Sequence, residues 1–305
     1  MDTPVKKSAG RPPKSLSRKF ENRKGIINEP NITSAIFELT HDNPDMFCHI
    51  FDAYKRVNEK IYFTFSPEGV KIKSESKNNS CIIITDIYGS RVISYYCQKK
   101  ISYYCLVKDL ILILKAKKKN HNKIIFYINS DDYYTLYITL ISKNGIKETC
   151  KAILDKYEDI EEEIVNFKDY SLNFTLEWSY FKEIINSWKS VINADVIFTK
   201  MSDESLKISF HDAQRDYEID FGDDKTTNLY FNSEKNNFIA VSIPIMTLLD
   251  CSPSDSLSTH LTFYLEEGEK TVLSAKIDES FKDKKEKIPN SESALVKYYL
   301  INNFK

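Results

Sequence analysis

The chain repeats itself at an interval of 134 residues, and that repeat limits the folds open to it. Phe47, Ile50, Phe51, Tyr54 and Val57 recur at the spacing of one helix face. Adding 134 gives Phe181, Ile184, Ile185, Trp188 and Val191, with the same spacing. Before the first set stand Asn43, a capping residue, and Pro44, suited to a first helical turn. Strand-like runs precede both sets, at 35–40 and 171–177, and hairpins follow both. The first hairpin is 61–65, a turn at 66–69, and 70–74; the second is 195–200, a turn at 201–205, and 206–210. Five matched apolar positions with matched flanks mark a duplicated α+β unit rather than two unrelated domains.

The later part of each unit follows one plan. Residues 108–119 read as a helix burying Leu110, Ile111, Ile113 and Leu114. Residues 242–251 read as its counterpart, with Ser242 as cap, Pro244 in the first turn, and Ile245, Leu248 and Leu249 inward. Second hairpins follow, 123–129 with 135–141 and 257–265 with 271–278. A closing strand ends each unit, at 148–154 and 294–301. Between the units, 155–169 holds seven acidic residues with Tyr157, Ile160 and Ile164 among them. That is the composition of an exposed connector with apolar hooks. The expected organisation is a tail at 1–30, a first domain at 31–154, the connector at 155–169, and a second domain at 170–305.

Several function classes are excluded by what the chain lacks. Its seven glycines are scattered, whereas a phosphate-cradling loop needs paired glycines and a dinucleotide fold needs three. The six cysteines have no C-x-x-C spacing, and the closest pair, Cys97 and Cys105, is eight apart. They read as reduced small hydrophobes. The five histidines form no ligand pattern, so no metal and no cofactor is expected. No pair of carboxylates is marked as catalytic, and an enzyme is not expected. Neither a long apolar span nor a secretory signal is visible. Nineteen tyrosines and eighteen phenylalanines suit a sheet-rich chain.

The formal charge of −1 hides an asymmetry. Residues 1–30 hold eight Lys/Arg, among them Lys6, Lys7, Arg11 and Lys14, against three acids. That segment is therefore +5, and residues 31–305 carry −6. Few apolar residues and four prolines leave it too little burial to offset its ordering entropy, so disorder is expected. Its Gly10-Arg-Pro-Pro-Lys14 resembles the core of an AT-hook, a minor-groove anchor. Phosphate binding and a merely solubilising or import role stay open for it.

Two such units, each with two helices against antiparallel sheet, resemble the plan of proliferating cell nuclear antigen, the sliding-clamp family. Quotable residues carry the resemblance. Ala294-Leu-Val-Lys-Tyr-Tyr-Leu-Ile301 is similar to the family's closing strand, Phe51-Asp-Ala-Tyr-Lys-Arg-Val57 to its first helix, and Pro67-Glu-Gly-Val-Lys-Ile72 to the hairpin after it. Coverage runs from about 35 to 301. Gly10–Lys14, Phe20-Glu21, Arg23-Lys-Gly-Ile26 and Asp42-Asn-Pro44 are similar to the branch of that family found in large nucleocytoplasmic DNA viruses such as African swine fever virus.

The resemblance implies a closed head-to-tail homotrimer around double-stranded DNA, with helices lining the hole and sheets outside. It implies a processivity factor for a viral DNA polymerase in replication and repair, working in a cytoplasmic viral factory of an infected cell, with the nucleus as the alternative. A clamp catalyses nothing; it raises effective concentration by topology. By alignment, phosphate-facing cations would be Lys55, Arg56, Lys115, Lys117, Lys118, Lys119, Lys182 and Lys189, joined by the tail's Lys6, Lys7, Arg11 and Lys14. Asp250 and Cys251 stand where the family has a lysine. Client peptides would meet Ile82, Tyr157, Ile160, Ile164, Leu300 and Ile301, although Glu75 and Asn302 depart from the family there. Subunit edges would lie at 134–140 (Tyr134, Leu136, Tyr137, Ile138) and 216–221 (Tyr217, Ile219, Phe221). A second reading is a clamp-fold late transcription factor that forms no loaded ring.

Overall fold

The computed structural model describes residues 25–77, 80–115, 121–158, 170, 172–188, 194–202, 205–211, 216–221, 239–250, 260–266, 271–278 and 292–300. The first unit runs β1 (Gly25–Ile26), β2 (Ala35–His41), α1 (Pro44–Val57), β3 (Lys60–Ser66), β4 (Gly69–Glu75), β5 (Cys81–Tyr88), β6 (Ser94–Cys97), β7 (Ile101–Leu106), α2 (Val107–Lys115), β8 (His121–Asn129), β9 (Asp132–Ser142) and β10 (Lys147–Ile153). The connector opens with β11 (Asp155–Lys156). The second unit runs β12 (Leu172–Glu177), α3 (Trp178–Ser187), β13 (Asp195–Ser202), β14 (Ser205–His211), β15 (Asp216–Phe221), β16 (Ile239–Pro244), α4 (Ile245–Asp250), β17 (His260–Leu265), β18 (Thr271–Asp278) and β19 (Glu292–Leu300).

Strand order makes the duplication explicit. Each unit contributes two four-stranded blocks. In the first unit they are β2-β8-β9-β10 and β7-β3-β4-β5; in the second, β12-β17-β18-β19 and β16-β13-β14-β15. Antiparallel pairing of β5 with β19 fuses one block from each unit, and with β11 added on β7 the result is a nine-stranded sheet. The other two blocks stay separate, one extended by β1 and β6 to six strands, the other with four.

Local chemistry accounts for the element ends. The Asn43 side chain accepts from the Met46 N–H at 3.3 Å, and Pro44 fills the first turn of α1. Asn58 closes that helix: its N–H donates to the Tyr54 carbonyl at 3.0 Å, and its side-chain amide donates to the Glu75 carbonyl at 2.6 Å. The β3–β4 turn needs Gly69, because a Cβ there would lie 2.2 Å from the Ile87 carbonyl oxygen. The helices cover one face of the sheets over a single apolar core that joins both units. Phe47 packs on Phe126 at 4.7 Å, and Phe181 packs on Phe263 at 4.9 Å, the same contact in each repeat.

Three expectations change. Ser242 does not cap a helix. It is a strand residue opposite Ile197, and α4 starts at Ile245, whose N–H donates to the Ala194 carbonyl at 3.1 Å. Pro44 opens its helix directly, whereas Pro244 ends a strand. Residues 25–30, read as tail, are ordered: β1 pairs in parallel with β6, and the Ile27 N–H reaches the Tyr95 carbonyl at 2.8 Å. The predicted first edge is also displaced. Strand β9 lies between β8 and β10, so Leu136 and Ile138 are core residues, 1% and 0% exposed. The strand that ends the sheet on that side is β10.

Candidate nucleic-acid interface, client patch and subunit edges

Among the described residues the helices are nearly neutral in charge. Across α1 to α4 the cations are Lys55, Arg56, Lys108, Lys115 and Lys182, and the acids are Asp45, Asp52, Asp109, Glu183 and Asp250. Lys55, Arg56 and Lys115 are exposed at the last turns of α1 and α2, where cations also complement the helix dipole. The two helices pack side by side, which gathers these cations on the first unit. Lys182 is half-buried on α3. His49 adds no charge at neutral pH, because burial lowers its pKa and only partly yields to the nearby Asp52. Lys117, Lys118, Lys119, Lys189 and the tail's Lys6, Lys7, Arg11 and Lys14 lie outside the described residues.

Cys48 and Cys97 are held as thiols. Burial pushes Cys48 up to about 11, with Asp52 adding to it, and burial pushes Cys97 up to about 11. A thiolate nucleophile needs the opposite shift.

On the side of the nine-stranded sheet away from the helices, a small apolar patch sits over the seam. Ile82, Val272, Tyr299 and Tyr170 form it, with Ile84 and Tyr264 packed at its edge. Of the residues expected to meet clients, Ile82 is here. Leu300 is not: strand alternation turns it into the core, fully buried, and its neighbour Tyr299 faces the patch instead. Tyr157 lies apart from Ile82. Its N–H donates to the Ser102 carbonyl at 3.2 Å, and its ring packs at 4.7 Å on Tyr62 of β3. Ile160, Ile164 and Ile301 lie outside the described residues. Sequence reasoning misses Tyr170, Val272 and Tyr299 as a group. For Val272 and Tyr299 the signal is alternation on β18 and β19, which reads as core on both faces without knowledge of the strand order; Tyr170, just before β12, carries no such signal.

Of the six strands that end the three sheets, two are open edges in the place of the seam strands β19 and β5: β10 of the six-stranded sheet and β15 of the four-stranded one. Tyr217 on β15 is 40% exposed, beside Trp188 at 5.7 Å and stacked on Phe210 at 5.5 Å. Ile219 packs partly against the core, and Phe221 pairs with Leu206 in register. Tyr134 is exposed, and Tyr137 stacks on Tyr127 at 4.9 Å on the outer face.

Comparison with known proteins agrees with this architecture. No family model matches the chain. Proliferating cellular nuclear antigen from Entamoeba histolytica superposes with a TM-score of 0.73 at 14% identity, covering 88% of this chain and 100% of that one. The PCNA2–PCNA3 complex of Sulfolobus tokodaii gives 0.69 at 14% identity, covering 86% and 98%. In sequence, an uncharacterized protein of African swine fever virus, isolate Tick/Malawi/Lil 20-1/1983, is 22% identical over 186 residues. That match spans 59% of this chain and 62% of the relative's length. Its counterpart in isolate Pig/Kenya/KEN-50/1950 is 29% identical over 97 residues, 32% of each chain. Duplicated units, helices on one sheet face and a fused seam are thus the fold of these proliferating cell nuclear antigens, and in sequence the chain resembles this protein of African swine fever virus.

Proposed function

We propose that this protein is a sliding clamp: a non-enzymatic ring that encircles duplex DNA and tethers viral replication or repair proteins to it. The observation that carries this reading is the relation between the seam and the open edges. Strand β5 ends its four-stranded block, and its repeat counterpart is β15; β19 ends another, and its counterpart is β10. The chain already pairs β5 with β19. Pairing β10 of one copy with β15 of the next repeats that joint between molecules. Such a head-to-tail contact either closes into a ring or grows into a filament. The resemblance to the clamp family favours closure at three copies, six units in all.

The nearly neutral helix face suits a sleeve rather than a tight grip. Lys55, Arg56 and Lys115 meet phosphate without reading bases, and few counterions are released. The patch of Ile82, Val272, Tyr299 and Tyr170 is the site we assign to client anchors, with a viral DNA polymerase as the client. The working location we infer is the viral replication factory in the cytoplasm.

Light scattering at micromolar and nanomolar concentration tests the ring. A mass near 106.5 kDa, three copies of the 35.5 kDa chain, is the expected result. Loaded rings should also stay on closed circular DNA and run off the same DNA once it is cut. A monomer at both concentrations overturns the ring and leaves the transcription-factor reading.

A further inference from the structure

We propose that complementary charges on the two open edges fix the register of the subunit contact and favour it over its two-fold alternatives. This rests on the head-to-tail reading above, and it goes further by naming the residue pairs.

The register follows from the repeat. Phe126 and Phe263 are equivalent, because Phe47 and Phe181 make the same contact with them. Opposite them lie Ile138 and Leu273, and opposite those lie Cys150 on β10 and Tyr298 on β19. Cys150 therefore corresponds to Tyr298. The other edge is counted from the two-residue turns of the β3–β4 and β13–β14 hairpins. Gly69 corresponds to Ser205, and Ile72 to Ile208. Opposite these lie Thr85 on β5 and Ile219 on β15. In the closed seam Tyr298 faces Ile83 and Val296 faces Thr85. Carried to the open edges, Cys150 faces Tyr217 of a second copy, and Glu148 faces its Ile219.

The outward-facing residues then fall into place. Lys147 stands opposite Asp220, Thr149 opposite Glu218, and Lys151 opposite Asp216. All six are exposed in the single chain. Lys151 is held at the edge by the Tyr137 ring, 5.0 Å from its Nζ, and Glu218 is fixed by Lys207 at 2.6 Å. Directly opposite charges on antiparallel strands stabilise pairing, and like charges oppose it. Any two-fold pairing of β15 with itself sets acid against acid. Pairing β10 with itself about Thr149 sets Lys147 against Lys151. Of these arrangements the unlike edges alone set lysine against aspartate twice, so the contact has a direction. The apolar margin agrees: Ile153, at the end of β10, is 74% exposed, the most of any large apolar side chain among the described residues. Open edges marked with charge are also protected from random strand addition.

The test is charge reversal in the full chain, read as solution mass. Lys147→Glu with Lys151→Glu should abolish the trimer at micromolar protein, as should Asp216→Lys with Asp220→Lys. Each contact should weaken on the order of tenfold or more. All four substitutions together should restore the trimer. Added salt should weaken the wild-type ring. Register is tested separately in a Cys150→Ser background. Thr149→Cys with Glu218→Cys should cross-link copies, and Thr149→Cys with Asp216→Cys should not. A wild-type trimer that survives either reversal, is not restored by all four, or cross-links in the slipped register overturns the charge inference while the ring stands. A wild-type monomer overturns both.

Discussion

In the proposed ring the closed seam and the open edges are the same joint in two states, and their chemistry differs accordingly. At the seam, the residues of β5 and β19 that face the helices are shut away from water: Ile83, Thr85, Val296 and Tyr298 are each 0% exposed. At the open edges, the equivalent residues are Tyr217, Ile219, Glu148 and Cys150, partly exposed and more polar on β10. A joint made once during folding can be built like a core. A joint that must also exist as two free surfaces has to remain soluble before it forms. The sharpest way to break this comparison is to place one carboxylate at equivalent points. Tyr298→Asp buries an unpaired charge and opens a cavity, and should cost about 4 kcal/mol or more, enough to remove the folded state in urea titration or circular dichroism. Cys150→Asp, at the equivalent edge position, should change monomer stability by less than about 1 kcal/mol and lower only the trimer mass. Equal losses of stability would mean the two sites are not equivalent.

The helices are pinned to the two joints by equivalent residues of unlike kind. Tyr54 and Trp188 stand seven residues after Phe47 and Phe181. The Tyr54 hydroxyl donates to the Ile72 carbonyl at 2.6 Å and lies 3.0 Å from the Thr85 hydroxyl, so it binds α1 to the seam strand. Burial raises its pKa well above the usual phenol, so it stays a donor. Trp188 instead packs its ring on Phe210 at 5.0 Å and on Tyr217 at 5.7 Å, against the open edge. Tyr54→Phe should cost about 1–3 kcal/mol, since it orphans a buried hydroxyl and removes a bond to the sheet. Urea unfolding reads this as a lower midpoint at unchanged slope. The trimer's dissociation should be unaffected. A shift of the trimer with no loss of stability would show that the seam and the edges communicate.

The repeat is legible in the sequence because periodicity survives where identity does not. Helix α1, both hairpins after the first helices and the closing strands appear there at nearly their observed bounds. The strands at 81–88 and 101–106 have apolar residues on nearly consecutive positions, so a two-residue period does not announce them. Helix α4 is misplaced by the sequence pattern because Pro244 suits a first turn and also ends a strand. The edge is misplaced for a different reason. Tyr134, Tyr137 and their neighbours make a convincing strand, but which strand is outermost depends on pairing order, and that is not a local property. The apolar patch shares this limit: Ile82 and Tyr299 are distant in sequence and meet only because β5 and β19 pair.

The seam also carries an ion pair, and it gives the mildest test of the comparison. Lys297 of β19 and Asp86 of β5 approach to 3.4 Å on the outer face, with side chains 16% and 24% exposed. They sit diagonally across the seam, since Lys297 faces Ile84 and Leu295 faces Asp86. Here the sheet is already fixed by buried residues beneath, so the pair has little left to decide. Lys297→Met keeps the aliphatic stem and should cost no more than about 1 kcal/mol in urea unfolding. The trimer mass should not change. In the proposed subunit contact no core has yet formed when two copies meet, so charges of the same kind would govern whether they pair at all. The same chemistry should thus be nearly silent at the seam and decisive between molecules. A loss at Lys297 above about 2 kcal/mol would mean the seam depends on its charges too, and the contrast between the two joints would be one of degree.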